Sequence, residues 1–456
     1  MRGRESRPIT SIEKELPVTV YPSIIVDELR AKIRGGAWFS DDPEFDAHRR
    51  PWNLAVDQDV WAVVEAADAD DVVELVRFAG AHGVPIATQP SGHGATGRAA
   101  GAILLRTGRL NSVDVDPLTK TARIGAGVRS GDLQRAAAEH GLTALPGSSP
   151  VVTVTGAALG GGLSWFGRSF GWIADSVVAF EVVTADGHAR RVTASTEPDL
   201  FWALRGGGGD IAVVTALELQ LHPAPEVFGG RQLWSGEHAR QVAEVFRTLT
   251  NSAPEGLTLW YELLNFPGAE PMVAIDSTYL GDAETARRLM RETEHLPAPL
   301  SDTRAPISVA DLGGITGEPT EPSPGTSRAE LLTDLDDAAI DVLVDEPIAP
   351  LMTLQVRHLG GAFARPSDSP HGPLSEPYAV YMFGVPATPE VEQAIVRKQA
   401  AFAEALPSSG HKPLSFLNPA EQLSDALPPS SLQRLRQLKA THDPDNIIRG
   451  NFGVLD

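Results

Sequence analysis

TQPSGHGATG, Thr88 to Gly97, sets one histidine among small residues. It follows an apolar run, Val84 to Ala87, that reads as a strand end. Gly92, Gly94 and Gly97 leave backbone N–H groups uncovered, and an array of amides of this kind cradles phosphate. His93 sits in the middle, where an imidazole can face whatever the loop holds. GHGATG also matches G-x-G-x-x-G, which marks a dinucleotide site only where a helix follows directly. Here RAAG and AILLRT follow, and they read as a strand, which argues against that site and against an NAD-dependent dehydrogenase. Taken alone, a loop of this composition reads as a solvent-facing turn. The rest of the chain argues otherwise.

Upstream, VWAVVE (60–65) reads as a strand and Asp71 to His82 as a helix, capped by Asp68 or Asp70 and ended by Gly83. Val72, Val73, Leu75, Val76 and Ala79 recur along it at helical spacing. This β-α-β unit delivers the chain to His93. Residues 1–54 read as an irregular arm with one helix, Pro22 to Ile33. Downstream come a hairpin turning at Asp116–Pro117, a helix from Gly131 to His140, and a glycine-rich field, LTALPGSSPVVTVTGAALGGGLSWFGRSFG (142–171). Such glycine density suggests backbone lying against something flat. A second hairpin turns at Asp186–Gly187, then LFWALRGGGGDIAVVTALELQL (200–221) ends in a strand. From about 222 the pattern changes to alternating strands at 257–264, 272–281, 352–361 and 378–385, with helices among them, as in a sheet with one buried face. The tail carries a helix, Pro429 to Thr441, and closes on HDPDNIIRGNFGVLD.

With 456 residues the chain has room for two or three domains. Its net charge of −21 makes nucleic acid a poor partner. No apolar run approaches a membrane span. MRGRESRPITSIEKELPVTV has neither an apolar signal core nor twin arginines, so a cytoplasmic location is expected. There are no cysteines, which removes disulfides, thiolate nucleophiles, iron–sulfur clusters and cysteinyl cofactor links. The twelve histidines form no H-x-x-x-H pair, so no metal site is expected.

The histidine loop, the glycine field, the 200–221 segment and the DPDNIIRGN tail occur together in this chain. In that combination it resembles the flavin oxidoreductases of the vanillyl-alcohol oxidase superfamily, in particular the berberine bridge enzyme-like branch. The resemblance implies an α+β fold: a two-part FAD-binding domain of PCMH type, from N- and C-terminal pieces, plus an α+β substrate domain with an antiparallel sheet. The corresponding divisions are an arm (1–54), the FAD domain (55–221), the substrate domain (222–405) and a completing segment (406–456). It implies FAD bonded covalently through His93, with Ser91, Gly92, Gly94, Ala95, Thr96 and Gly97 around the pyrophosphate. Val154, Gly156, Gly160, Gly161 and Gly162 would lie along the flavin ring and ribityl chain, Val214 at the adenine end and Asn451 near the pyrimidine. The implied activity is an oxidase that passes a hydride from a small alcohol, amine or aromatic secondary metabolite to FAD, with O₂ giving H₂O₂. A dehydrogenase with another acceptor, or a flavin-holding protein without turnover, is the alternative. The partners are a small-molecule substrate and O₂, with the chain a monomer or homodimer.

The sequence departs from the family pattern in three places. Ser149 stands where many relatives carry a second flavin-linked cysteine, GGNFGIVT reads GGDIAVVT at Asp210–Ala212, and the tail tyrosine of relatives is Phe416. A base for proton abstraction must then come from the substrate-domain strands, where Tyr261, Tyr378, Tyr381 and His358 are available. Tyr381 and His358 are the candidates. Arg357 and His358 alternate along their strand, so only one of them can face the flavin readily.

Overall fold

The computed structural model describes residues 23–456. Pro22 and the residues before it, including the stretch read for a signal, lie outside the described residues. The stretch expected to be an irregular arm holds more structure than that. Beyond the helix Ser23–Lys32, the strand Gly36–Phe39 pairs antiparallel with Ala62–Glu65, and a short helix covers Phe45–Arg49. GAWF is too short to display an alternating pattern, so it carries no strand signal.

A five-stranded sheet runs in the order Gly36–Phe39, Ala62–Glu65, Ile103–Arg106, Ile86–Thr88, Ile448–Arg449. Its last four strands are mutually parallel. The helix Ala69–His82 links two of them, and the Asp68 carboxylate accepts from the Asp70 and Asp71 N–H groups at its start. Gly83 ends it at φ 64°, a left-handed conformation suited to glycine. The C-terminal strand Ile448–Arg449 lies beside Ile86–Thr88, so the tail flanks the strand that leads into the histidine loop.

A second five-stranded sheet holds Val113–Asp116, Thr121–Gly125, Ala212–Gln220, Val177–Thr184 and Ala189–Val192, all antiparallel. The glycine field between them contains two short helices, Val154–Leu159 and Gly167–Phe170.

The third sheet is a large antiparallel one built from residues 227–384. Helices Ala239–Ser252, Asp337–Val344 and Pro389–Ala405 pack on one of its faces through Leu259, Tyr261, Leu263, Leu354, Val356, Val380 and Met382. Strand alternation turns the intervening residues, Glu262, Leu264, Gln355, Arg357, Tyr381 and Phe383, to the opposite face. That face looks toward the histidine loop across a cavity.

Candidate functional site

The cavity has a volume of about 1570 Å³. One wall is the loop 88–99 with Ser148, Ser149 and residues 152–157; the other is the antiparallel sheet. Gly92 adopts φ 82°, and a Cβ there would come within 2.7 Å of the Pro51 Cβ, so the turn admits only glycine. The tail braces the loop. Asn451 donates through Nδ2 to the Gly94 carbonyl, and the Thr96 hydroxyl donates to Asn451 Oδ1 at 3.0 Å.

His93 is fixed on two sides. Its Nδ1 lies 2.8 Å from Ser91 Oγ, and its ring stacks on Trp52 at 4.1 Å with 15° between planes. Nε2 is buried and has no hydrogen-bond partner among the described residues. Burial, helped by the positive charge of Arg129, lowers the imidazole to a pKa of about 4, so the ring is neutral near pH 7. Thr88 Oγ1, Ser149 Oγ and Thr155 Oγ1 are likewise buried without partners, and all belong to residues lining the same cavity. Buried polar atoms in a folded protein are ordinarily satisfied. A long cavity edged by unpaired hydroxyls, a glycine-rich loop and a neutral imidazole therefore fits a large, polar, phosphate-bearing group such as FAD.

Ser91, Gly92, Gly94, Ala95, Thr96, Gly97, Val154, Gly156, Gly160, Gly162, Val214 and Asn451 all line this cavity together with His93. Gly161 is not among the lining residues. At φ 86°, its Cβ position faces the His371 and Trp172 rings, each 3.2 Å away. A Cβ on Gly162 would meet Ile173 at 2.7 Å. At these two positions the positive φ and the packing within the protein already require glycine.

Tyr381 lines the cavity, with its ring 5.3 Å from that of Phe416. Burial raises its phenol above the usual value. His358 does not reach the cavity. It lies on the helix side of the sheet, 2.9 Å from Arg168 Nη1 and near the Tyr378 ring, where burial and Arg168 lower its pKa to about 2. Of the alternating pair it is Arg357 that turns inward.

Glu262 and Gln355 also line the cavity, and no sequence motif marks them. They are register partners on neighbouring strands, and Gln355 Nε2 donates to Glu262 Oε1 at 2.7 Å. Behind them Arg231 forms a two-pronged pair with Asp276 at 2.6 and 2.8 Å and also donates to Glu262. Burial and the Asp276 charge push Glu262 up to about 8. A charged residue centred in LWYELL, on the face opposite Tyr261, was the available signal.

Residues 61–193 match the FAD binding domain family. The chain is 28% identical over 450 residues to (R)-6-hydroxynicotine oxidase of Paenarthrobacter nicotinovorans, covering 92% of this chain and 97% of that protein. The crystal structure of 6-hydroxy-D-nicotine oxidase from Arthrobacter nicotinovorans superposes with a TM-score of 0.81 at 25% identity, covering 91% of this chain and 96% of that one. BBE-like 1 of Physcomitrella patens shares the fold, with a TM-score of 0.81 at 20% identity over 94% and 98% of the two chains. With the fold, the cavity and these likenesses together, the chain carries an FAD binding domain and is similar along nearly its whole length to an FAD-dependent oxidase of hydroxynicotine, whose fold it shares.

Proposed function

We propose that the cavity holds FAD attached through His93, and that the enzyme is an oxidase of a small organic metabolite with O₂ as final acceptor. The observation that carries this reading is His93 Nε2, a buried, neutral, unpartnered nitrogen in the wall of a cavity edged by loop amides. When bound, FAD supplies the two-electron acceptor for a hydride from substrate. The protein supplies position. Ser91 and Trp52 hold the imidazole so that Nε2 is the available nucleophile, and the depressed pKa keeps its lone pair free. Tyr381 is the catalytic candidate on the substrate side: burial keeps its phenol protonated, so at rest it offers a hydrogen bond to the substrate rather than a free base. The hydroxynicotine oxidases, similar along nearly their whole length, support oxidase chemistry on a small organic substrate.

The test is acid precipitation of the purified protein followed by flavin fluorescence in a denaturing gel. A fluorescent band that disappears in His93→Ala is the expected result. Flavin released wholly into the supernatant would sink the covalent link while keeping FAD. Bleaching of bound flavin by a substrate and its return in air would mark an oxidase. Bleaching that persists in air would mark a dehydrogenase.

A further inference from the structure

The sheet wall of the cavity carries an arginine held in an unusual way. Arg357 is only 6% exposed, yet it forms no ion pair with any described carboxylate. Its Nε and Nη2 both donate to one neutral atom, Gln355 Oε1, at 3.0 and 2.6 Å. The Gln355 amide is oriented by Glu262, which takes its N–H and so leaves its oxygen for the arginine. The guanidinium lies 4.0 Å above the Trp260 ring, with Tyr381 at 5.3 Å and Phe416 at 5.2 Å. Trp260 in turn stacks on Trp165 at 3.6 Å. The aromatic column fixes the guanidinium plane and gives it little freedom to lose on binding.

The surrounding charges leave this cation without a direct counter-ion. Arg231 is occupied by Asp276 and Glu262. Glu262, at about 8, carries a proton through much of the neutral range. Glu318 lines the same cavity and acts on Arg357 only through space. A buried charge without a partner is costly, and a preorganised guanidinium fork matches two oxygens of one anionic group.

We propose that Arg357 is the specificity-determining residue of the substrate cavity and pairs with a carboxylate, or an equivalent pair of anionic oxygens, on a planar aromatic substrate. This rests on reading the sheet wall as the substrate side of a flavoenzyme. Tyr381 and Phe416 then flank the ring of the substrate, and Arg357 sets which end of it faces the loop wall.

Benzoate and its neutral isostere benzamide test the assignment on the protein as purified, with binding followed by calorimetry and by the absorbance of bound flavin. Benzoate is expected to bind about ten-fold tighter than benzamide or more, the effect of one charged hydrogen-bonded pair. Arg357→Gln should abolish that preference, and Arg357→Lys should keep part of it because the charge remains while the fork is lost. Flavin content and thermal midpoint of both variants establish that they are folded. If Arg357→Gln fails to fold, the benzoate preference of the wild type and its partial retention in Arg357→Lys decide the matter. Equal affinity for the two probes, no binding of benzoate, or an unchanged preference in Arg357→Gln would overturn the proposal. A benzoate preference in protein that holds no flavin would overturn the cofactor reading and leave the anion site standing.

Discussion

The two walls of the cavity are built on opposite principles. The loop wall presents glycine backbone, hydroxyls and an imidazole held at low pKa, fixed by backbone geometry at Gly92 and by Asn451 bracing Gly94 and Thr96, and its Arg98 is tied to Asp456 and to the Pro419 and Glu421 carbonyls. The sheet wall is made of buried ionisable groups, with Arg231, Asp276, Glu262 and Arg357 bound into one network through Gln355. A wall that accepts a pyrophosphate can work through the amides of a glycine-rich loop without a lysine or arginine cluster. A wall that must select one end of a small molecule can place a single strong charge and spend its other groups holding that charge still.

The largest effect should come from breaking the sheet wall. Arg231→Met leaves Asp276 and Glu262 buried side by side without their cation and should cost about 3–5 kcal/mol in urea unfolding. A loss under about 1 kcal/mol would mean that the network is not what holds this wall.

Gly92→Ala attacks the loop wall, forcing a side chain into a left-handed turn against Pro51. It should lower stability by about 1–3 kcal/mol and reduce flavin content, while leaving any benzoate preference unchanged. A parallel loss of both ligands would show that the two walls are coupled.

The smallest effects separate the walls by pH. In flavin-free protein His93 falls from 6.5 to about 4 on folding, so its contribution to stability is present above 6.5 and lost as pH falls through 4. Glu262 rises from 4.5 to about 8, so its contribution is present below 4.5 and lost as pH rises through 8. Thermal midpoints across this range should lose part of their acid-side slope in His93→Gln and part of their alkaline-side slope in Glu262→Gln. Exchange of these two signatures between the variants would refute the assignment.

How much of this was legible in the sequence follows from how local each signal is. The loop was readable because its glycines and His93 are consecutive, and the preceding helix because Asp68 and Gly83 mark its ends within the chain itself. Glycine alone could not say which neighbour required it: Gly161 faces Trp172 from its own region and His371 from a segment about two hundred residues later. The sheet wall was hidden for the same reason. Glu262 and Gln355 are paired by strand register, not by spacing, and nothing between them in the chain signals it. Alternation said that Arg357 and His358 must part, but only the helices packed on Leu354 and Val356 settle which one turns inward.

The strand Ile448–Arg449, paired with Ile86–Thr88, has a consequence for the order of folding. The histidine loop leaves the ribosome long before the strand that flanks it and the asparagine that braces it. The loop can take its braced form only after the whole sheet wall has been made, and contacts so distant in sequence are slow to close. The loop is thus set by an event late in folding, although its own residues are adjacent in the chain.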